Sequence, residues 1–199
     1  MLLELNTIFK YALALLVVMA PAIWILFSYG PKQTNRKTEQ WFESLEKPSY
    51  TPSKELFSFL WLLTYAIMGI AGFMVFEYLR IYKFSAVSAL TVFTVKYVLG
   101  ISLFPIFFGL KDLTLSGFLI SALLPMIFWT MVEFYKLSTT SLILMLPYAA
   151  WIGFLTVLTF DLIELNPDQI DEENRRTNKT LNKSQRLPNA KPPIISQMV

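Results

Sequence analysis

Long apolar runs constrain this chain more than any other feature. Five such runs lie between residues 8 and 165, and each is long enough to cross a bilayer as a helix, which takes roughly 20 residues. The runs are continuous and lack the period-two alternation of a transmembrane barrel strand. A hydrophobic fraction of 55% and a mean hydropathy of +0.51 agree with this pattern. The sequence therefore predicts an all-α, multi-pass integral membrane protein.

The predicted helices form a single bundle. They cover about residues 8–29, 56–79, 84–110, 113–135 and 141–165. The later connections are very short, so successive helices become antiparallel neighbours. Residues 1–166 thus make one five-helix membrane domain with a structured first loop over residues 30–55. The first run has a rival interpretation as a signal peptide cleaved near Ala20-Pro21-Ala22, but its apolar residues continue beyond that point, which favours a retained helix.

The end of the chain differs sharply in character. Residues 167–199 are polar, acidic first and then basic, with no apolar period, and we expect a disordered tail that starts where Pro167 ends the last helix. The first loop and this tail carry most of the lysines and arginines, which predicts that both face the cytosol. A bacterial cell membrane, a mitochondrial outer membrane and the endoplasmic reticulum all fit this orientation.

Composition removes several classes of chemistry. The chain has no cysteine and no histidine, which excludes disulfides, the usual zinc sites and any Ser–His or Cys–His catalysis within one chain. We expect no metal site and no required cofactor, and no residue pattern demands an enzyme. The net charge of +3 is too small to indicate nucleic-acid binding.

The first loop contains an unusually specific segment, WFESLEKPSYTPSKELF, from Trp41 to Phe57. Its two prolines, Pro48 and Pro52, predict a stiff and non-helical connection, and Ser53 is placed to cap the next helix. One interpretation is a structured turn that carries interfacial aromatic residues. The other is a lid over a cavity at the cytosolic end of the bundle.

The same segment opens a pattern that resembles one family, the translocator proteins or tryptophan-rich sensory proteins (TspO/MBR, also peripheral benzodiazepine receptors). The residues that match its spacing are Trp41, Leu45, Lys47, Pro48, Pro52, Phe57, Trp61, Tyr65, Met68 and Gly69. Further matches are Pro105, Phe107, Phe108 and Gly109 in the third long helix and Leu146, Pro147, Tyr148, Trp151 and Phe154 in the fifth. The resemblance covers about residues 8–166 and identifies the chain as a divergent member.

The resemblance implies a five-helix bundle, often a homodimer, whose pocket beneath the first loop binds porphyrins (haem, protoporphyrin IX), sterols and other lipid-like or aromatic molecules. It implies ligand contact at Trp61, Trp151, Tyr50, Tyr65, Met68 and Pro147, whereas Trp24 and Trp129 are expected to pack or to anchor the helices. Two other functions stay open. One is light-dependent porphyrin degradation by Trp61 and Trp151, and the other is a structural or partner-binding role after loss of the pocket.

Several positions depart from the family's pattern. Where the family usually has Gln, Asn and Trp in the third helix, this chain has Lys96, Gly100 and Leu103. In the fifth helix this chain has Leu155 where the family typically has a small residue. Further along the same helix it has Thr159 and Ile163 where the family has Asn and Trp. The cholesterol-recognition pattern of that helix is therefore lost, although residues 75–80 fit its loose form elsewhere.

Lys96 is the most informative departure. It lies about 13 residues from either end of its predicted helix, roughly 20 Å at helical rise, which is too far for its ammonium to reach water. A charge at that depth costs about 3 kcal/mol or more. Either Lys96 faces backbone carbonyls or tyrosine hydroxyls, or it lines a polar pocket where it binds a ligand carboxylate such as a porphyrin propionate.

Overall fold

The protein is all-helical over the residues that its computed structural model describes, namely 2–29 and 36–170 together with positions 175 and 178. The helices are α1 (Leu2–Tyr29), α2 (Arg36–Ser44), α3 (Lys54–Glu77), α4 (Lys83–Phe104), α5 (Leu113–Tyr135) and α6 (Thr139–Leu165). A 3₁₀ turn over Tyr78–Arg80 extends α3, and a π-helical segment over Pro105–Leu110 extends α4.

Four of these helices satisfy the length and hydropathy of a membrane span: α3 and α4 with their extensions, α5 and α6. The helix α1 is 28 residues long, but its described apolar part, Leu15–Trp24, is shorter. Four of the five predicted spans are thus confirmed within the described residues, and the first remains a prediction.

Side chains at the helix starts explain where the long helices begin. The hydroxyl of Ser53 accepts a hydrogen bond from the Leu56 amide at 3.2 Å, which confirms the predicted cap of α3. Ser138 caps α6 in the same way at 3.2 Å, and the Asp112 carboxylate caps α5 at 2.6 Å. Between α4 and α5 the chain turns at Lys111, which adopts the left-handed conformation with φ of 60°.

The π-helical segment has a cause in the sequence. Pro105 has no amide hydrogen, and its ring would clash with the carbonyl of Ile101 in a regular helix. Widening the turn relieves this conflict, and π-helical turns of this kind often lie at functional sites. Here the wide turn carries Phe107 and Phe108 to the end of the bundle where α3 begins and α6 ends.

Two predictions about irregular segments were wrong in part. Trp41 to Ser44 belong to helix α2 and are not part of a non-helical connection; α2 places its aromatic residues on one face, against the π-helical segment. Residues 167–170 are helical and not disordered, since Pro167 suits the first position of a new helix as well as it ends the old one. Residues 30–35 of the predicted loop, and most of the predicted tail, lie outside the described residues.

The long helices surround one aromatic core. Going around the bundle, α3 lies between α1 and α6, and α5 lies between α6 and α4. Trp61 and Tyr65 of α3 and Tyr148 of α6 are among the largest fully buried side chains. At one end the core is open enough to hold a cavity. Helix α2 and the irregular segment that follows it, residues 45–53 with Pro48 and Pro52, cover that end.

Candidate functional site

The covering segment, residues 36–53, is called the lid from here on. Its helix α2 packs through Trp41 and Phe42 against the π-helical segment, with ring centroids 5.6 Å apart for Trp41–Phe107 and for Phe42–Phe108. Leu45, just after α2, is 4% exposed. These contacts bury the apolar face of the lid on the bundle, which favours the lid interpretation of the segment over a simple interfacial turn.

Polar contacts hold the lid to the end of α6. The side chain of Asn166 accepts a hydrogen bond from the Glu46 amide and donates one to the Glu46 carbonyl, both at 2.9 Å. The Tyr50 hydroxyl donates to the carboxylate of Asp161. This carboxylate raises the pKa of Tyr50, because its hydrogen bond stabilises the protonated phenol.

Ion pairs join the lid to the start of α3. The Lys54 ammonium lies 2.9 Å from a carboxylate oxygen of Glu39 and also pairs with Glu43. Lys47 lies 3.6 Å from the same Glu43 carboxylate. The hydrogen bond from Lys54 and the positive charge of Lys47 lower the pKa of Glu43. The lid is therefore held to two helices, to α6 by hydrogen bonds and to α3 by ion pairs.

Beneath the lid is a narrow cavity of about 60 Å³. Ordinary small-molecule pockets measure roughly 300–1,000 Å³, so a ligand of that size enters only when the lid and the wall residues move apart. The walls are mostly apolar and aromatic. The lining residues are Phe42, Thr51, Pro52, Lys54, Phe57, Trp61, Leu103, Phe104, Phe107, Phe108, Ile120, Leu155, Leu158, Thr159 and Leu162.

Trp61 is the one predicted site residue that lines the cavity directly. Trp151 lies behind the wall, with its ring centroid 5.5 Å from that of Phe57. Tyr50 belongs to the lid, where its ring packs edge-on against Phe154 at 6.0 Å. Of the predicted site residues, the structure thus brings Trp61, Trp151 and Tyr50 to the same end of the bundle.

The other predicted residues lie deeper. Tyr65 stacks on Trp61 at 4.8 Å on the side away from the lid. Met68 and Lys96 are fully buried, and the Lys96 ammonium lies 2.6 Å from the Met68 sulfur. Pro147 is inside α6 and does not line the cavity.

The surroundings of Lys96 differ from the first of the two sequence expectations, and the second, contact with a ligand carboxylate, stays a prediction. Its ammonium lies over the ring of Tyr148 at 4.4 Å and the ring of Phe93 at 4.6 Å, and not against tyrosine hydroxyls or backbone carbonyls. It forms no ion pair with any part of the chain that the structure describes. Ring faces and a thioether stabilise a cation only weakly compared with a carboxylate.

Three of the departures from the family's pattern are wall residues. Leu103, Leu155 and Thr159 all line the cavity, so the cavity persists with a more aliphatic wall. Gly100 leaves room for two side chains, since a Cβ atom there would lie 2.8 Å from the hydroxyl oxygens of both Tyr65 and Tyr148.

Trp24 and Trp129 are far more exposed than the cavity tryptophan, at 65% and 53% against 1% for Trp61. Both belong to long apolar helices, and neither lines the cavity. Such exposure on a membrane helix agrees with the expected anchoring role.

Sequence reasoning missed Asn166, which is 7% exposed and joins the lid to α6. In the sequence it is only the last residue of the predicted membrane domain, directly before the tail. An asparagine directly after an apolar helix and directly before a proline is the sequence signal that could have identified it, but its partner Glu46 is 120 residues away.

A second, wider groove lies at the opposite end, between α1, α3 and α4, and includes Glu77 and Arg80 from the stretch that fits the loose cholesterol pattern. In the part of the chain that the structure describes, no group of three acidic residues comes together as a metal site. The lid cavity, closed by aromatic residues and covered by a fixed segment, is the better candidate for binding a specific small molecule.

Comparison with known proteins gives a consistent result. The model of the TspO/MBR family matches residues 11–165. A tryptophan-rich protein TspO from Archaeoglobus fulgidus is 35% identical over 154 residues, which cover 76% of this chain and 96% of that protein. Protein CrtK from Rhodobacter capsulatus is 33% identical over 65% of this chain and 80% of its own length. The translocator protein of Bos taurus is 27% identical over 74% of this chain and 86% of its own length.

Proposed function

Because the chain belongs to the TspO/MBR family, we propose that this integral membrane protein binds flat, largely apolar molecules of the porphyrin class in the lid cavity, as a translocator-type protein. Sterols and other lipid-like molecules are the neighbouring ligand class. The observation that carries the proposal is the cavity itself, which has an indole, five phenylalanines and five aliphatic side chains in its wall.

The chemistry of the wall supports this ligand class. Trp61 offers an aromatic surface, and Phe57 and Phe104 meet it within 6.4 and 4.3 Å between ring centroids. Flat conjugated rings stack on such surfaces, and their apolar area is removed from water on binding. The polar side chains in the wall, Thr51, Lys54 and Thr159, are few, as is usual for small-molecule pockets.

Titration of the purified protein with protoporphyrin IX, followed by tryptophan fluorescence in the dark, tests the proposal. We expect saturable quenching, and we expect Trp61→Phe to weaken the affinity severalfold by shrinking the stacking surface. Trp129→Phe is the matched control, because that exposed indole lies outside the cavity wall. Quenching that never saturates, or an equal loss of affinity in both variants, would refute the proposal and favour a structural or partner-binding role.

The same titration under illumination separates binding from degradation. Trp61 stacks on Tyr65 at 4.8 Å, and Tyr65 meets Tyr148 at 5.7 Å, so oxidisable rings continue from the cavity wall into the core. Loss of porphyrin absorbance in light that disappears in Trp61→Phe would add an enzymatic activity to the binding function.

A further inference from the structure

The wall of the lid cavity changes character one helical turn further from the lid. A step of four residues, about 6 Å along a helix, leads from Trp61 to Tyr65 on α3 and from Leu155 to Trp151 on α6. On α4 the same step leads from Phe104 to Gly100, and a second step leads to Lys96. Beyond the cavity wall, hydrogen-bonding residues thus follow after one turn on α3 and α6 and after two turns on α4. We call Tyr65, Lys96, Tyr148 and Trp151 the donor cluster.

The donor cluster has unused hydrogen-bonding capacity. The hydroxyls of Tyr65 and Tyr148 and the indole nitrogen of Trp151 are buried without a hydrogen-bond partner among the described residues. Both hydroxyls lie 2.8 Å from the same point beside Gly100, so they converge. Buried polar groups are normally paired, because a group left unpaired loses its hydrogen bonds to water without replacement.

Lys96 adds a cation to this group. Its side chain is fully buried, and its ammonium lies over the ring of Tyr148 with no carboxylate partner in the described chain. An indole N–H and an ammonium can only donate, and a tyrosine hydroxyl can also donate. A group that accepts several hydrogen bonds and carries negative charge would satisfy the Lys96 ammonium and the two tyrosine hydroxyls together.

We infer that the molecule held in the lid cavity is an amphiphile with a carboxylate, and that this carboxylate binds in the donor cluster. The inference rests on the proposed function and specifies the charge of its ligand. The apolar body lies against Trp61, and the carboxylate extends one turn further on a short alkyl arm. Because Trp61 stacks on Tyr65 between the cavity and the cluster, its indole turns aside when the arm enters.

A pair of ligands that differ only in the carboxylate tests this. Protoporphyrin IX and its dimethyl ester share one macrocycle, and both are titrated in the dark against the wild type and Lys96→Met. We expect the wild type to bind the free acid at least tenfold more tightly than the ester. In Lys96→Met the affinity for the free acid should fall to that for the ester. The affinity for the ester should not change, since methionine keeps the length and apolar packing of the lysine side-chain stem.

A second cation provides the matched control. Lys54 lines the cavity beside the lid and is the other place where a carboxylate could bind. Lys54→Met should therefore still bind the free acid more tightly than the ester. The inference would be overturned if Lys54→Met lost this preference while Lys96→Met kept it. Tyr148→Phe removes one hydroxyl from the cluster and should lower the affinity for the free acid severalfold, with the affinity for the ester unchanged. This variant tests the inference even if Lys96→Met fails to fold.

The outcomes separate the two proposals. Equal affinity of the wild type for acid and ester overturns the carboxylate inference and leaves the binding function standing. Absence of saturable binding of either porphyrin removes the binding function and the inference together. Competition by palmitic acid, but not by its methyl ester, would assign the carboxylate to a linear fatty acid, whereas no competition by either would assign it to the macrocycle.

Discussion

Asn166→Ala should loosen the lid by a predictable amount. The asparagine side chain makes two hydrogen bonds to the backbone of Glu46, both at 2.9 Å, and a third to the carbonyl of Leu162 at 2.8 Å within its own helix end. Only the first two join the lid to α6. At about 1 kcal/mol for each net hydrogen bond, their loss costs the closed lid about 2 kcal/mol. Opening should become about 30-fold more frequent, since 1.36 kcal/mol corresponds to a factor of ten.

Hydrogen exchange at the Glu46 amide measures this opening directly, because that amide donates to Asn166 in the closed lid. We expect its protection to fall by up to about 30-fold in Asn166→Ala, with the amides inside α5 unchanged as an internal reference. Asn166→Asp is the matched control: it keeps an oxygen for the Glu46 amide but cannot donate to the Glu46 carbonyl, so its protection should be intermediate.

The refuting results are specific. Unchanged protection at Glu46 would show that Asn166 does not hold the lid. An equal rise in exchange along α5 would show that the substitution destabilises the whole bundle, and the lid would then have no separate opening.

Two further predictions concern the core and the lid charges. Gly100→Ala places a Cβ atom 2.8 Å from the hydroxyls of Tyr65 and Tyr148 and should lower the free energy of unfolding by about 1–3 kcal/mol, which thermal unfolding measures. Adding Tyr148→Phe should recover part of the loss. Full stability of the single variant would contradict the close packing around Gly100. Glu43 has a lowered pKa in the folded lid, so its ionised carboxylate stabilises the closed lid. This stabilisation is fully present above the ordinary glutamate pKa of about 4.3 and is lost as pH falls through the lowered pKa. Glu43→Gln removes the ion pair with Lys54. Hydrogen-exchange protection of the lid amides should therefore fall less on acidification in Glu43→Gln than in the wild type. An identical pH profile in the two proteins would show that Glu43 does not cause the acid-dependent loss.

The helical framework could be read from the sequence to within a few residues. The α5 bounds agree with the prediction, and Ser53 caps α3 as expected. Such features are local, since apolar length and capping chemistry depend on residues close together in the chain. Helix α2 was missed because the prolines that follow it dominate the pattern of the segment, and its stability comes from packing against Phe107 and Phe108.

The candidate site was only partly predictable for the same reason. The resemblance pointed to Trp61, which lines the cavity, but also to Met68 and Pro147, which do not. Spacing along one helix tells which residues share a face, and it does not tell how deep a cavity reaches between helices. The depth is set by the aromatic stack of Trp61 on Tyr65, a tertiary arrangement.

By itself, the sequence determined that this chain is a helical membrane protein of one recognisable family, because apolar run length and local motifs are written in consecutive residues. It also determined that Lys96 is buried at depth, since no lysine in the middle of such a helix can reach water. Only the tertiary structure decided what lies around that lysine and how the lid is fixed. Those facts depend on pairs such as Lys96–Met68 and Glu46–Asn166, whose members lie 28 and 120 residues apart and meet only when the helices pack.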